Sequence, residues 1–269
     1  MLIKLTAGYR LDFGQIARIA SFLNMPENEK LAGKQIADQL GISRARLGRL
    51  WMMARALGLG TKGIWKLTDL GKVIIEHDPY LDDIGTLWLL HFVISSDPDI
   101  LVWNKMINHV FPENHHVNMS IAKPYFEDAL ADFSVASYEQ HLNKEIQSFF
   151  DAYTGQHFEN LGYMLEEDDK NYRLTPSQSI PPHILGASIL IYRERFAPNV
   201  ATLDINTLAQ TDNSPGRIFA LTQRQLRDLL ENIKNKGYIF VESRADLDQI
   251  RFRDDIYPID TIQRYYEER

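Results

Sequence analysis

Three arginines lie close together near the start of one predicted helix of this 269-residue chain. They are Arg44, Arg46 and Arg49, and two lysines, Lys62 and Lys66, follow in the next predicted turn. Guanidinium and ammonium groups donate hydrogen bonds to phosphate oxygens, and guanidinium groups also donate to the N7 and O6 atoms of guanine. The residue types and their spacing therefore predict the binding of phosphate and of base edges.

A helix-turn-helix pattern over residues 35–50 would position these arginines. Ile36 and Leu40 predict the inward face of a first short helix, and Gly41 gives the turn the backbone freedom it needs. Ser43 is placed to cap the second helix. In such a motif the N-terminal residues of the second helix enter the major groove, so the arginines would face DNA.

A β-hairpin, the wing, is predicted directly after the second helix. Gly60 and Gly63 flank a two-residue tip, β-forming residues follow, and Thr68 would cap a closing helix. The pattern predicts a winged helix-turn-helix at about residues 28–78. The predicted DNA contacts are Lys34, Ser43, Arg44, Arg46, Arg49, Lys62 and Lys66.

The distribution of charge favours this interpretation over two alternatives, a protein-protein module and a merely solvated basic face. The whole chain carries a net charge of −7, which argues against nucleic acid. Residues 1–80 nevertheless hold 12 Lys and Arg against 7 Asp and Glu, a net of +5, so the remainder carries −12. The basic end and the acidic remainder are therefore expected to do different jobs.

Composition excludes several classes of protein. Apolar residues make up 45% of the chain and charged residues 24%, the balance of a globular protein. There is no cysteine, which excludes disulfides, thiolate metal sites and a cysteine nucleophile and fits a reducing cytoplasm. Neither a signal-like stretch in residues 1–11 nor a membrane-spanning apolar run is visible, so we expect a cytoplasmic protein without a membrane partner.

The fold class predicted is mainly α, with small β-hairpins. Residues 1–78 form the winged helix-turn-helix, residues 79–176 a helical middle domain, and residues 177–269 a winged-helix-like module. A Pro-rich linker is expected at residues 175–182. Helices are predicted at residues 14–23, 86–95, 101–110, 136–153, 183–196, 205–209 and 223–236, and strands at residues 162–165, 171–174, 238–242 and 249–253.

The C-terminal module repeats the outline of a basic helix followed by a hairpin. Its hairpin is predicted to turn at residues 243–246, and Gly237 to end the helix in the left-handed conformation. Acidic residues alternate with the basic ones here. Nucleic-acid contact by this module is therefore the less favoured alternative.

No catalytic, cofactor or metal site is predicted. His109, His115 and His116 with Glu113 form the only histidine cluster, but adjacent histidines in a polar loop seldom converge on a metal. The acidic run at residues 166–169 lacks the glycine and the alternating oxygen ligands of a calcium loop and predicts a solvated hairpin tip. Neither a phosphate-binding glycine loop nor a nucleophile elbow is present, so we expect a protein that is not an enzyme.

Two blocks of sequence resemble a bacterial family known as domain of unknown function 4007. They are residues 78–91, DPYLDDIGTLWLLH, and residues 213–221, NSPGRIFAL. Within the second block, Arg217 is expected to form a buried salt bridge, with a helix cap and an anion site as alternatives. Members of that family usually have a His- and aromatic-rich block where this chain has LTAGYRLDF at residues 5–13.

The resemblance spans nearly the whole chain and implies a role in defence. Genes of that family often lie beside DNA-modification and phage-defence genes, notably those of DNA phosphorothioation. We therefore expect a DNA-binding component of such a system, with double-stranded DNA as its partner. An adaptor that assembles defence proteins and a transcriptional autoregulator are the alternatives, and a homodimer is left open.

Overall fold

The computed structural model describes residues 4–132, 135–175, 179–244 and 247–269. The chain divides into two compact units, Met1–Leu174 and Thr175–Arg269. It is mainly helical with two small antiparallel sheets, which confirms the predicted fold class at that level. The finer division into three domains stays a prediction.

Four helices open the first unit: α1 Phe13–Asn24, α2 Gly33–Leu40, α3 Arg44–Ala56 and α4 Asp69–His77. A 3-10 turn at Pro26–Asn28 separates α1 from α2. The buried faces of α1, α3 and α4 pack together, because each carries apolar residues at helical spacing. The predicted end of the first helix is confirmed.

Local signals account for the pair α2 and α3. Gly41 has φ +65°, a left-handed conformation that ends α2 and costs glycine little. The Ser43 hydroxyl accepts a hydrogen bond from the Arg46 N–H, and the Thr68 hydroxyl accepts one from the Gly71 N–H at the start of α4. The predicted turn and both predicted caps are confirmed.

The loop between α3 and α4 differs from the predicted hairpin. A single β-bridge joins Gly60 and Leu67, and the Thr61 N–H donates to the Lys66 carbonyl at 2.9 Å, so the tip holds four residues and not two. The Trp51 indole N–H donates to the Ile64 carbonyl at 3.2 Å. This hydrogen bond ties the tip of the loop to α3.

The rest of the first unit is built around a helix that is buried in all but its first residue. Its helices are α5 Ile84–Ser95, α6 Leu101–Lys105, α7 Phe111–Glu113, α8 Met119–Ala122 and α9 Val135–Thr154, with a π-helical stretch at Met106–Val110 and 3-10 stretches at Lys123–Asp132 and His157–Leu161. Every residue of α5 from Gly85 to Ser95 is buried. Its His91 Nδ1 lies 2.7 Å from the Tyr153 hydroxyl of α9. The first family-like block is therefore largely core.

An antiparallel hairpin ends the first unit. It consists of β1 Met164–Glu166 and β2 Tyr172–Leu174, with Met164 opposite Leu174. The hairpin predicted around the acidic run is confirmed. Of the predicted linker at residues 175–182, residues 176–178 lie outside the described ranges.

The second unit combines helices with a three-stranded antiparallel sheet of order β3-β5-β4. Its elements are α10 Pro182–Phe196, β3 Thr202–Asp204, α11 Ile205–Gln210, α12 Pro215–Ile218, α13 Gln223–Asn235, β4 Ile239–Arg244, β5 Leu247–Phe252 and α14 Pro258–Glu267. The sequence analysis did not predict β3 or α14. The predicted hairpin tip at residues 243–246 lies partly outside the described residues, since 245 and 246 are not among them.

No helix within the described residues is long and apolar enough to cross a membrane.

Candidate nucleic-acid interface

The first two turns of α3 present the cationic side chains that the sequence predicts. Arg44 and Arg46 are exposed. Neither guanidinium group lies within 4.0 Å of a carboxylate among the described residues. Both charges are therefore available to a ligand that approaches from solvent.

Two faces of α3 point outward because of helical spacing. Arg44 and Gly48 are four residues apart and share one face, and Arg46 and Arg49 are three apart and share the next. Gly48 is exposed, and a Cβ atom built there meets nothing within 4 Å. The helix is therefore open along its Arg44 face.

The Arg46 face forms one wall of a groove. Arg49 stacks its guanidinium group over the ring of Tyr9, 4.5 Å from the centroid, and Tyr9 itself is 56% exposed. The groove, which we call the α3 groove, has a volume of about 500 Å³. It is lined by Tyr9, Arg10, Asp12, Ser43, Arg46, Arg49, Leu50 and Met53.

The opposite wall is the segment of residues 5–12, which a buried carboxylate holds in place. The Glu145 side chain of α9 accepts hydrogen bonds from the Thr6 N–H at 3.0 Å and from the Ala7 N–H at 2.5 Å. The Thr6 hydroxyl also donates to Ser148 at 2.9 Å. Burial raises the pKa of Glu145, and the hydrogen bonds from Thr6 and Ala7 oppose that rise.

The other predicted contacts lie apart from this groove. Lys34 is exposed on α2, and Lys66 forms a 2.6 Å ion pair with Glu29 that raises the pKa of the lysine. Lys62 lines a second groove of about 440 Å³, which also contains Asp97 and Asp99. Of the predicted residues, the α3 groove therefore brings together Ser43, Arg46 and Arg49.

Tyr9 and Arg10 line this groove but were not predicted as functional residues from the sequence. They lie in the stretch where the chain departs from its resembled family, so no motif marked them. An aromatic residue next to an arginine was the only available signal. It is a weak one, because the contact that fixes the segment joins residues 139 positions apart.

The histidine cluster has protein partners of its own. The His115 and His116 rings stack with centroids 4.6 Å apart, and His116 Nδ1 lies 2.8 Å from a Glu167 carboxylate oxygen. Glu113 accepts a hydrogen bond from the Tyr125 hydroxyl at 2.8 Å. Within the described ranges, no three His, Asp or Glu side chains form a group suited to a metal ion.

The helix and hairpin of the second unit carry their basic residues in ion pairs. Arg227 of α13 pairs with Asp248 of β5, Arg251 pairs with Glu242 at 2.8 Å, and Lys234 pairs with Glu231 at 2.8 Å. Further pairs join Arg253 to Asp255 and Lys236 to Glu268. Most of the positive charge of this surface is therefore already compensated.

Arg217 of the second family-like block takes the capping alternative. Its guanidinium group donates two hydrogen bonds to the Gln210 carbonyl, at 3.1 and 2.6 Å, at the end of α11. The Ser214 hydroxyl accepts from the Arg217 N–H at the start of α12. The expected buried salt bridge is not found in the described part of the chain, and this block positions two short helices.

Comparison with known proteins gives a family and a fold. The family model described as "Protein of unknown function (DUF4007)" matches residues 27–266. Two solved structures match, described as "Magnesium ion-bound SspB crystal structure" and "SspB crystal structure", each with a TM-score of 0.76, at 17% and 18% identity. Each alignment covers 97% of this chain and 85% of the SspB chain. Because the identity is below 20%, the likeness concerns the fold alone. A search of curated proteins found no match.

Proposed function

This chain belongs to the DUF4007 family of proteins of unknown function, and from that premise we propose that it binds duplex DNA through α3. It does so as a binding protein and not as an enzyme. Its partners are double-stranded DNA and the other proteins of a bacterial DNA-modification or anti-phage system.

One observation carries the proposal: Arg44 and Arg46 are exposed at the start of α3 without a carboxylate partner among the described residues. Unpaired guanidinium groups attract phosphate, and binding is driven largely by the release of condensed counterions. The helix that carries them follows a tight turn at Gly41, as a recognition helix does. Charge and placement thus support the same surface.

The bare backbone at Gly48 gives further support. A glycine inside a helix destabilises it by roughly 0.5–1 kcal/mol relative to alanine. At an exposed position the glycine brings no packing benefit, but the absence of a side chain lets a ligand approach the helix closely. Since Gly48 shares a face with Arg44, we propose that this face enters the major groove.

In this proposal residues 28–78 form a winged helix-turn-helix. The bridged loop between Gly60 and Leu67 is the wing, and Lys62 at its tip contacts the DNA backbone beside the recognition helix. Lys66 exchanges its Glu29 partner for a phosphate on binding. Asp97 and Asp99 across the second groove weaken the contribution of Lys62.

The proposal involves no metal. One SspB structure is described as magnesium-bound, and magnesium prefers oxygen ligands in a near-octahedral arrangement. In this chain the described carboxylates do not gather in a group of three.

The test is the affinity of the full chain for a short fluorescent duplex, measured by anisotropy. We expect the double variant Arg44→Ala/Arg46→Ala to lose affinity at least about tenfold, the equivalent of ~1.4 kcal/mol. The matched control Arg224→Ala/Lys234→Ala removes the same charge from exposed positions of α13 and should bind like the wild type. Equal affinity for all three proteins, or no duplex binding at all, would rule the proposal out.

A second candidate, an adaptor for other defence proteins, is favoured by Tyr80. This side chain is 74% exposed in the first family-like block, in a loop fixed by two N–H groups, of Asp82 and Asp83, that donate to the Asp78 carboxylate at 3.1 and 3.0 Å. Aromatic side chains held outward are typical of protein interfaces. Loss of co-purification with a protein encoded by an adjacent gene in Tyr80→Ala, with duplex binding intact, would support the adaptor, and unchanged co-purification would exclude Tyr80 from it.

A further inference from the structure

We infer that the α3 groove binds a single nucleotide, with its phosphate on Arg46 and Arg10 and its base stacked on Tyr9. The inference rests on the proposed function, because it names the ligand of one part of the same surface. The nucleotide comes either from an unpaired position of a bound strand or from the free pool.

The size and charge of the groove fit this ligand. Its volume of about 500 Å³ lies in the range of small-molecule sites, about 300–1,000 Å³, which is the scale of one nucleotide and too small for a duplex. Three guanidinium groups and one carboxylate line it, so an anion is favoured. Neither Arg10 nor Arg46 has a carboxylate within 4.0 Å among the described residues.

The lining also offers partners for each part of a nucleotide. Tyr9 is 56% exposed, and Arg49 stacked over its ring would extend the platform on which a base can stack. Leu50 and Met53 supply apolar surface. The Asp12 carboxylate, which is fixed by accepting from the Gln15 N–H at 3.0 Å, can accept from an exocyclic amino group of a base.

The wall that carries Tyr9 and Arg10 is held before any ligand arrives. Two N–H groups donate to the buried Glu145 carboxylate, and the Tyr9 carbonyl accepts from the Ser148 hydroxyl at 3.5 Å. Ala7 and Gly8 both have positive φ, +52° and +81°, so the chain turns sharply just before Tyr9. A preformed wall reduces the ordering cost of binding.

The experiment compares two short duplexes of the same sequence, one fully paired and one with a single unpaired nucleotide, and adds the four deoxynucleoside monophosphates as free ligands. Affinities of the full chain are measured by anisotropy for the duplexes and by calorimetry for the monophosphates. The variants are Tyr9→Leu and Tyr9→Phe. Tyr80→Leu is the matched control, because Tyr80 is an exposed tyrosine that does not line the groove.

For a strand-borne nucleotide, the wild type should bind the unpaired duplex about tenfold tighter than the paired one, the typical contribution of one stacked base. For a free nucleotide, a monophosphate should bind and Tyr9→Leu should abolish its binding. In both cases Tyr9→Phe and Tyr80→Leu should behave like the wild type. Because Tyr9 is exposed, its variants should unfold at the wild-type temperature.

Equal affinity for both duplexes together with no binding of monophosphates would overturn the inference. A preference that Tyr9→Leu leaves unchanged would do the same. Neither result bears on the proposed function, which fails if the paired duplex is not bound at all. If monophosphates bind but no duplex does, the nucleotide site in the α3 groove is supported and the proposed binding of duplex DNA is rejected.

Discussion

Two regions of this chain have the same outline, a basic helix followed by a hairpin or bridged loop, and they use their charge in opposite ways. Residues 33–77 hold eight Lys and Arg against three Asp and Glu, and residues 223–253 hold seven against five. In the first region Arg44 and Arg46 lack a carboxylate partner among the described residues. In the second, Arg227 and Arg251 have one.

The comparison shows that a basic helix does not by itself indicate a ligand. An exposed ion pair contributes about 0–1 kcal/mol to stability and removes a charge from the potential that an approaching phosphate experiences. Residues 33–77 hold few acidic residues; Lys66 pairs with Glu29 and Lys72 with Asp69, but the charges of Arg44 and Arg46 stay available. We therefore propose that the charges of the first region serve DNA binding and that those of the second serve stability.

The largest expected effect comes from blocking the access of DNA to α3 without changing the charge of the helix. Gly48→Leu adds a side chain to the Arg44 face of α3, and we expect duplex affinity to fall at least about tenfold, ~1.4 kcal/mol. Stability should rise by roughly 0.5–1 kcal/mol, because leucine is a better helix former than glycine. Asp228→Leu at an exposed position of α13 is the control and should leave affinity unchanged. If Gly48→Leu binds duplex with wild-type affinity, the Arg44 face is not part of the DNA interface.

A smaller effect tests the second region. Arg227→Ala removes the pair with Asp248, and because both side chains are partly exposed we expect a loss of about 0.5 kcal/mol in the free energy of unfolding. Duplex affinity should stay at the wild-type value. Urea denaturation and anisotropy on the same preparation measure both quantities, and a clear loss of DNA affinity would break the contrast between the two regions.

Breaking the ion pair between Lys66 and Glu29 should increase the affinity for duplex DNA. Glu29→Gln keeps the shape of its side chain but frees the Lys66 ammonium group, so we expect affinity for duplex to rise about two- to threefold. Asp248→Asn frees Arg227 in the same way in the second region and should change nothing. If both variants bind DNA more tightly, net charge alone determines affinity and the position of α3 does not.

The stability of the folded chain should depend on pH through His183. Burial lowers the pKa of this histidine, although its hydrogen bond to Glu268 acts in the opposite direction. The unfolded chain therefore takes up a proton near pH 6.5 and the folded one at lower pH, so the free energy of unfolding falls as the pH drops through about 6.5. We expect a modest fall in Tm between pH 7.5 and 5.5, and His183→Gln should reduce it. If the Tm of His183→Gln falls as much as that of the wild type, another titratable group causes the pH dependence.

Local signals in the sequence were sufficient to predict several features of the fold. The turn at Gly41 and the caps at Ser43 and Thr68 depend on residues within a few positions of one another, so their types suffice to predict them. The charge of α3 was equally visible. Its exposure is a property of the fold that the helical spacing of its apolar residues already indicated.

The parts that were missed depend on distant partners. The three-residue strand β3 exists because it pairs with β5, with Leu203 opposite Ile250, and α14 packs on α10. The wall of the α3 groove depends on Glu145, 139 positions from Thr6. Nothing in the neighbourhood of Tyr9 indicates that contact, so the groove could not be predicted from one sequence.

The most direct test of the central claim is the salt dependence of duplex affinity. If Lys34, Arg44, Arg46, Lys62 and Lys66 each neutralise one phosphate, the plot of log affinity against log salt should have a slope of about −4 to −5. Arg44→Ala/Arg46→Ala should flatten it by about 2, and Arg224→Ala/Lys234→Ala should leave it unchanged. An identical slope in all three proteins would contradict the assignment of DNA binding to α3.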